Sequence, residues 1–351
     1  MKKRTVLVLF GGRSAEHEVS IRSATSVIEA LDARRYDVVP MAITRRGRWL
    51  SPARSSKRLS GVARRLHVRR CGMQPGRVPT GVDVVFPVLH GPFGEDGTVQ
   101  GLLELADVPY VGSGVAGSAV GMDKDLLKRI FRDAGLPLVD FVTVTRRRWR
   151  RRRRSMLREL RARFRCPLFV KPACLGSSVG ISKVKTHGAL ARALDAAAEF
   201  DTKVLVEAGV DRARELECSV LGNEDPEASC VGEVIPGAEF YDYEEKYLRD
   251  TAKLVIPAAI PRRVAERVRR LALAAFRAAD CAGLARVDFL MDRHTRRLYL
   301  SELNTMPGFT SISMYPKLWE HSGLSYSKLL DRLIALAFER HADREHLRVQ
   351  R

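Results

Sequence analysis

Two apolar runs near the C-terminus carry polar side chains at alternate positions: Arg286-Val287-Asp288-Phe289, and Ser301-Glu302-Leu303-Asn304-Thr305-Met306-Pro307-Gly308. Residues i and i+2 of a β-strand share a face. The spacing therefore predicts two neighbouring strands whose Arg286, Asp288, Glu302 and Asn304 side chains converge on one cluster. Three oxygen-bearing groups gathered in this way suit a hard cation such as Mg²⁺, which prefers carboxylate and carbonyl oxygens and keeps phosphate oxygens in its shell. Taken alone, either run also fits a hairpin with a charged outer face. The rest of the chain favours a metal–nucleotide site.

A chain of 351 residues exceeds the size at which one core keeps growing, so two or three lobes sharing a cleft are expected. No apolar run approaches the roughly 20 residues that span a bilayer. The basic start, Met1-Lys2-Lys3-Arg4, precedes an apolar run of only Val6 to Phe10, which reads as a first buried strand rather than a signal peptide. Cysteines at 71, 166, 174, 218, 230 and 281 form no CxxC pair, which fits a reduced, cytoplasmic protein better than a disulfide framework or a zinc site. The net charge is +20, and eleven of those charges come from one block: twelve arginines against Glu159 between Arg146 and Arg165. Such a block is ordinarily a solvated loop or helix face. It also raises a nucleic-acid-binding alternative, but Trp149 is the sole aromatic within 146–154 and no stacking set is interleaved.

The run Thr5–Phe10 reads as a buried parallel strand that enters Gly11-Gly12-Arg13-Ser14-Ala15-Glu16 and then a helix over 20–31. A strand, a glycine turn and a helix make a ligand-binding corner. Glu16 would repel phosphate there and suits an ammonium group instead. Strands are predicted over 38–43 and 82–89, the second delivering His90 at its carboxyl end, where open α/β sheets bind ligands. A helix is predicted over 118–134, carrying Lys124 and ending at Gly135. After a strand at 141–145 and the arginine block, Pro167–Pro172 holds an inward Lys171 and leads to Leu175-Gly176-Ser177-Ser178-Val179-Gly180, small residues able to fold over phosphates. Strands at 204–207 and 214–221 follow. The aromatic, polar stretch 238–248 reads as a lid, and helices at 262–280 and 326–338 complete the reading.

In this order, GGRSAEHEVS, LHGPFGEDGTVQG, GMDK, VKPACLGSSVGISKV, ELECSVLGN, EFYDYEEKY, RVDF and ELNTMPGFTS resemble the D-alanine–D-alanine ligase family of the ATP-grasp superfamily across nearly the whole chain. The resemblance implies an α/β, ATP-grasp fold of three lobes: an N-terminal Rossmann-like substrate domain (1–115), a central ATP-grasp lobe (116–206), and a C-terminal lobe with lid and metal site (207–351). It implies a cytoplasmic peptidoglycan-synthesis enzyme that uses ATP and two Mg²⁺ or Mn²⁺ ions to join two D-alanines, with no membrane or nucleic-acid partner; as family members go, a homodimer is expected. D-Lactate or D-serine is the alternative acceptor.

The same resemblance implies roles for individual residues. Asp288, Glu302 and Asn304 would hold metal. Lys124, Lys171 and Ser178 would meet nucleotide phosphates, with Glu207 and Glu215 also on the nucleotide and Lys246 neutralising the γ-phosphate. Glu16 would bind the first ammonium, with Ser177 and Tyr247 completing a hydrogen-bonded set. His90 would lie near the first carboxylate, Arg286 and the Gly308 N–H would stabilise an oxyanion, and Ser313 and Met314 would receive the second carboxylate. Tyr247 argues for a dipeptide product over an ester. Cys174 departs from the family's usual asparagine.

Overall fold

The computed structural model describes residues 3–59, 80–236, 253–310 and 312–346. The first sheet is built from β1 (Arg4–Gly11), β2 (Tyr36–Ile43) and β3 (Val84–Val88), joined by α1 (His17–Ala30) and α2 (Pro52–Ser56) and followed by α3 (Thr98–Leu105). Its order is β2-β1-β3 and all pairs are parallel. The central position of β1 explains its unbroken apolar run, because both of its faces are covered. At its end Gly11 has φ +90°, and a Cβ there would lie 2.3 Å from the Ile43 carbonyl oxygen, so the turn requires glycine.

The helix expected over 118–134 is two helices, α4 (Val115–Met122) and α5 (Lys124–Asp133). Asp123 breaks them apart. Its backbone is extended, and its carboxylate accepts the Asp125 and Leu126 N–H groups at 3.1 and 3.2 Å, a favoured helix cap. Leu127 and Phe131 of α5 are buried with Leu216 and Phe289 of the C-terminal sheet and with Phe276 of the helix packed on it.

The second sheet follows β4 (Phe141–Thr145). Of the loop or helix face expected of the arginine block, the structure has the helix, in two pieces, α6 (Arg146–Arg151) and α7 (Arg153–Arg163). Met156, Leu160 and Phe164 recur every four residues on the buried side, while the arginines face outward. β5 (Leu168–Pro172), β6 (Ser182–Val184), α8 (Leu190–Phe200) and β7 (Lys203–Ala208) complete an antiparallel sheet of order β4-β7-β5-β6.

The third sheet takes β8 (Arg214–Gly222), β9 (Glu227–Ile235), β10 (Lys253–Val255), β11 (Gly283–Met291) and β12 (Leu298–Asn304), with α9 (Arg262–Ala278) packed on it. Its order is β10-β9-β8-β11-β12, antiparallel throughout. After α10 (Met314–His321), the last helix, α11 (Tyr326–Glu345), returns to the first sheet. Leu329, Leu330, Leu333 and Ile334 share one core with Val6, Phe10 and Val88, and the Tyr36 hydroxyl donates to Asp331 at 2.8 Å. The first and third sheets are thus joined by continuous apolar packing, which holds the loop after β3 against the loop after β12. Among the described residues no helix is long and apolar enough to cross a membrane.

Candidate active site

Strands β11 and β12 pair Asp288 with Glu302 and Arg286 with Asn304. The pairing contains a bulge. Phe289 faces Leu300 while Asp288 faces Glu302, leaving Ser301 as the extra residue. Leu298 and Leu300 point into the core on one parity and Leu303 on the other. The bulge therefore changes the strand's phase and turns Glu302 and Asn304 toward the cleft. Asn304 donates its amide N–H to Asp288 at 3.1 Å. Arg286 forks onto Asp288 at 2.7 and 2.6 Å, and its Nε lies 2.9 Å from Glu217 on β8. Burial works against the guanidinium charge, yet Asp288 and Glu217 hold its pKa well above the usual arginine range.

The facing wall comes from β5, β7 and α5. Lys171 Nζ is 2.9 Å from Glu207 Oε2, and Lys128 Nζ is 3.3 Å from Glu207 Oε1. Burial alone would raise the Glu207 carboxyl, but the two ammonium groups bring it down to about 2. Burial also opposes the charge on Lys171, and Glu207 with the more distant Glu302 and Glu215 overrides it and raises its pKa. Lys124, one turn before Lys128 on α5, donates to the Leu175 carbonyl at 2.5 Å and so anchors the start of the small-residue loop. Within that loop Ser177 and Ser178 take positive φ, +49° and +59°. The Cys174 N–H donates to Asp201 at 2.7 Å, and burial with the nearby Asp123 carboxylate pushes its thiol up to about 12, so it is not a thiolate at neutral pH.

Glu16, immediately before α1, reaches this loop and accepts a short hydrogen bond from the Ser177 hydroxyl. It is closely fenced: a Cβ on Gly91 or Gly176 would lie 2.6 or 3.1 Å from Glu16 Oε2. His90 Nδ1 is 3.0 Å from the Met306 carbonyl, an acceptor only, so Nδ1 carries the proton. Burial lowers the His90 pKa and keeps the ring neutral, which makes Nε2 the acceptor for Ser23 Oγ at 3.0 Å. Ser23 Oγ in turn accepts the Phe309 N–H at 3.2 Å. Glu95 accepts N–H bonds from Gly91 at 2.6 Å and Met306 at 3.2 Å, and the Tyr326 hydroxyl donates to the Phe309 carbonyl at 2.6 Å. Four side chains thus clamp the 306–309 backbone that bears Gly308. Ser313 caps α10, and Met314 is buried, so its polar contribution at the site is its backbone N–H.

A family model described as "D-ala D-ala ligase N-terminus" matches residues 5–113, and one described as "D-ala D-ala ligase C-terminus" matches residues 130–335. The chain belongs to the D-alanine–D-alanine ligase family. It is 50% identical over 349 residues to a D-alanine–D-alanine ligase of Solibacter usitatus, covering 99% of this chain and all of that one. Among solved structures, the D-alanine–D-alanine ligase of Coxiella burnetii superposes with a TM-score of 0.83 at 37% identity, covering 98% of this chain and 97% of that one. The VanG D-Ala:D-Ser ligase of Enterococcus faecalis gives 0.84 at 36%, covering 96% and 100%. These likenesses carry the ATP-grasp architecture across nearly all of this chain.

On this ligase scaffold the expected residues divide clearly. Arg286, Asp288, Glu302 and Asn304 form one face, while Lys124, Lys171 and Glu207 with Ser177 and Ser178 form the other; Glu215 lies at the edge of the first. Both ring nitrogens of His90 lie at hydrogen-bond distance from protein groups, Ser23 Oγ and the Met306 carbonyl. Lys246 and Tyr247 lie outside the described residues. Sequence reasoning missed Lys128, Glu217, Ser23 and Glu95. Lys128 had a signal, a second lysine four residues after Lys124 inside the apolar stripe Leu127–Phe131. The donor chemistry at the hairpin fits a hard divalent cation, being two carboxylates and an amide whose carbonyl is not used in its bond to Asp288.

Proposed function

We propose that this protein is an ATP-dependent D-alanine–D-alanine ligase of peptidoglycan synthesis. The observation that supports it most directly is the Glu16–Ser177 hydrogen bond, which joins the amino-acid corner of the first lobe to the loop beside Lys124 and Lys171. In this reading Glu16 receives the ammonium of the first D-alanine. That substrate's carboxylate attacks the γ-phosphorus of ATP, giving an acyl phosphate and ADP. The second D-alanine, its amine deprotonated, attacks the carbonyl carbon, and phosphate leaves as the peptide bond forms.

Such a path needs cations around a phosphoryl group more than a protein nucleophile. Lys124, Lys171 and Ser178 serve the nucleotide phosphates, Lys246 the γ-phosphate, Glu215 the ribose hydroxyls, and Glu207 the remaining nucleotide contacts. Asp288, Glu302 and Asn304 would hold two Mg²⁺ or Mn²⁺ ions, which when bound supply charge neutralisation to the phosphate oxygens. Arg286 and the Gly308 N–H stabilise the oxyanion. His90 acts one step removed, by fixing the Met306 carbonyl and, through Ser23, the Phe309 N–H on either side of Gly308. Ser313 and the Met314 N–H, at the start of α10, receive the second carboxylate. By the family resemblance Tyr247, which lies outside the described residues, would complete the set with Glu16 and Ser177 and favour the dipeptide. A homodimer and a cytoplasmic location belong to the same proposal, and the unpaired thiols of Cys166, Cys174, Cys218, Cys230 and Cys281 support the latter.

Purified protein given D-alanine, ATP and Mg²⁺ should release phosphate and form D-alanyl-D-alanine. Phosphate release no greater than that of an Asp288→Ala control would overturn the assignment. Competition of D-serine or D-lactate with D-alanine then reads the acceptor.

A further inference from the structure

Lys128 has no part in the roles assigned above. It is buried, and its ammonium lies 3.3 Å from Glu207 Oε1, yet neither atom makes a hydrogen bond with a described residue. The other Glu207 oxygen takes Lys171. If Lys128 only filled the core, an apolar side chain would serve without the cost of desolvating a charge. Its position also points toward the cleft. Lys124 and Lys128 lie one turn apart on α5, Lys124 anchoring the loop at Leu175, and Lys128 feels the charge of Glu302 on the opposite sheet.

The charges of this set are decisive. Glu207 and Lys171 alone would form a neutral pair, leaving little field at the phosphates. Burial lowers the Lys128 pKa while the Glu207 carboxylate beside it opposes that shift; with Lys128 protonated, the buried set carries one net positive charge. We propose that Lys128 is a positioning residue of the nucleotide site: by occupying one oxygen of Glu207 it keeps Lys171 from being neutralised and leaves a net cation facing the nucleotide phosphates. This rests on the ATP-dependent reading above.

The test is calorimetric titration of ATP, ADP and adenosine into wild type, Lys128→Met and Lys128→Met/Glu207→Gln, with KM measured for ATP and D-alanine. One unit charge acting over several Å at an effective dielectric of about 20 corresponds to roughly a tenfold change or more. Lys128→Met should weaken ATP and ADP by about that factor and raise KM for ATP in step, with adenosine affinity and KM for D-alanine unchanged. The double variant, in which Lys171 alone restores the single positive charge, should return the ADP-to-adenosine affinity ratio toward wild type. Equal ADP affinity in wild type and Lys128→Met, an equal loss for adenosine, or no recovery in the double variant would each overturn the inference. If Lys128→Met does not fold, Lys128→Gln carries the same expectation and the same refutation. A wild-type protein that binds no ATP would overturn the ligase reading itself, an outcome distinct from those.

Discussion

Glu16 of the first lobe accepts a hydrogen bond from Ser177 of the small-residue loop across 161 residues of sequence. The contact joins the place proposed for the substrate ammonium to the backbone proposed for the phosphates. It also helps hold Ser177 and Ser178 in positive φ, a conformation that side chains other than glycine adopt at a cost. Removing the hydroxyl should therefore affect the first substrate more than ATP. For Ser177→Ala we expect kcat/KM for D-alanine to fall about ten- to hundredfold, the range for a hydrogen bond to a charged group. Nucleotide affinity should stay within a few-fold. Steady-state kinetics with calorimetry of ATP binding separates the two, and equal losses in both would refute the assigned link.

The Glu95 carboxyl gives a pH signature. Burial and the negative charge of Glu16 raise it from its ordinary 4.5 to about 8, against the pull of the Gly91 and Met306 N–H groups. Between those values the folded protein holds a proton that the unfolded chain has released. The stability from this group is fully present below about pH 4.5 and is lost as pH rises through 8. His90 works in the opposite direction, since burial lowers its pKa and its contribution is lost as pH falls below 6.5. Thermal melts of wild type and Glu95→Gln from pH 5 to 9 should converge by a few degrees as pH rises. A constant difference would show that Glu95 does not titrate in this range.

The pairing of Arg286, Asp288, Glu302 and Asn304 on one hairpin was legible because its period-two spacing was local: Arg286 with Asp288, and Glu302 with Asn304, each needed only one strand. The bulge at Ser301 was not read, though it is what lets apolar Leu298 and Leu300 share a strand with cleft-facing Glu302. The glycine corner and β1 were equally local. Lys128 and Glu95 were missed for a different reason. A lysine in an apolar stripe reads as a long side chain reaching to solvent, and only the fold shows Glu207 inside the core to receive it. Strand β9 and helices α8 and α10 went unread: β9 mixes small residues such as Ala228, Ser229 and Gly232 without clean alternation, and α10 carries Pro316 in its first turn. The arginine block reads as a solvated loop or helix face; its charge hides the four-residue spacing of Met156, Leu160 and Phe164 that decides for helix.

At the hairpin, Glu302→Gln keeps the shape and removes one negative charge from the oxygen donors. Turnover should fall by about a hundred- to a thousandfold, the range seen when a key transition-state stabiliser is lost. Excess Mg²⁺ should restore part of it, because a weakened site fills by mass action. Chelation of the wild-type protein should abolish phosphate release, and added Mg²⁺ or Mn²⁺ should return it. Full activity in the presence of a chelator would remove the metal role of Asp288, Glu302 and Asn304.

The helices of the arginine block depend on one aromatic. Trp149 is buried beneath α6, donates its indole N–H to Asp195 at 2.8 Å, and lies under the Arg153 guanidinium at 4.3 Å from the ring centre. Arg153 in turn forks onto Asp195 at 2.6 Å from each nitrogen. The two contacts differ in worth. Arg153 and Asp195 are both about half exposed, so their pairing is screened and Arg153→Ala should cost about 1 kcal/mol or less. Trp149→Ala opens a cavity among Met156, Leu160 and Leu194 and removes the indole bond, for an expected loss of about 3–5 kcal/mol. Denaturant melts should resolve that difference. The active-site residues lie on other elements, so kcat of the fraction that stays folded should change little; a Trp149→Ala protein as stable as Arg153→Ala would mean that the charged faces, not the buried ring, hold α6 and α7 to the sheet.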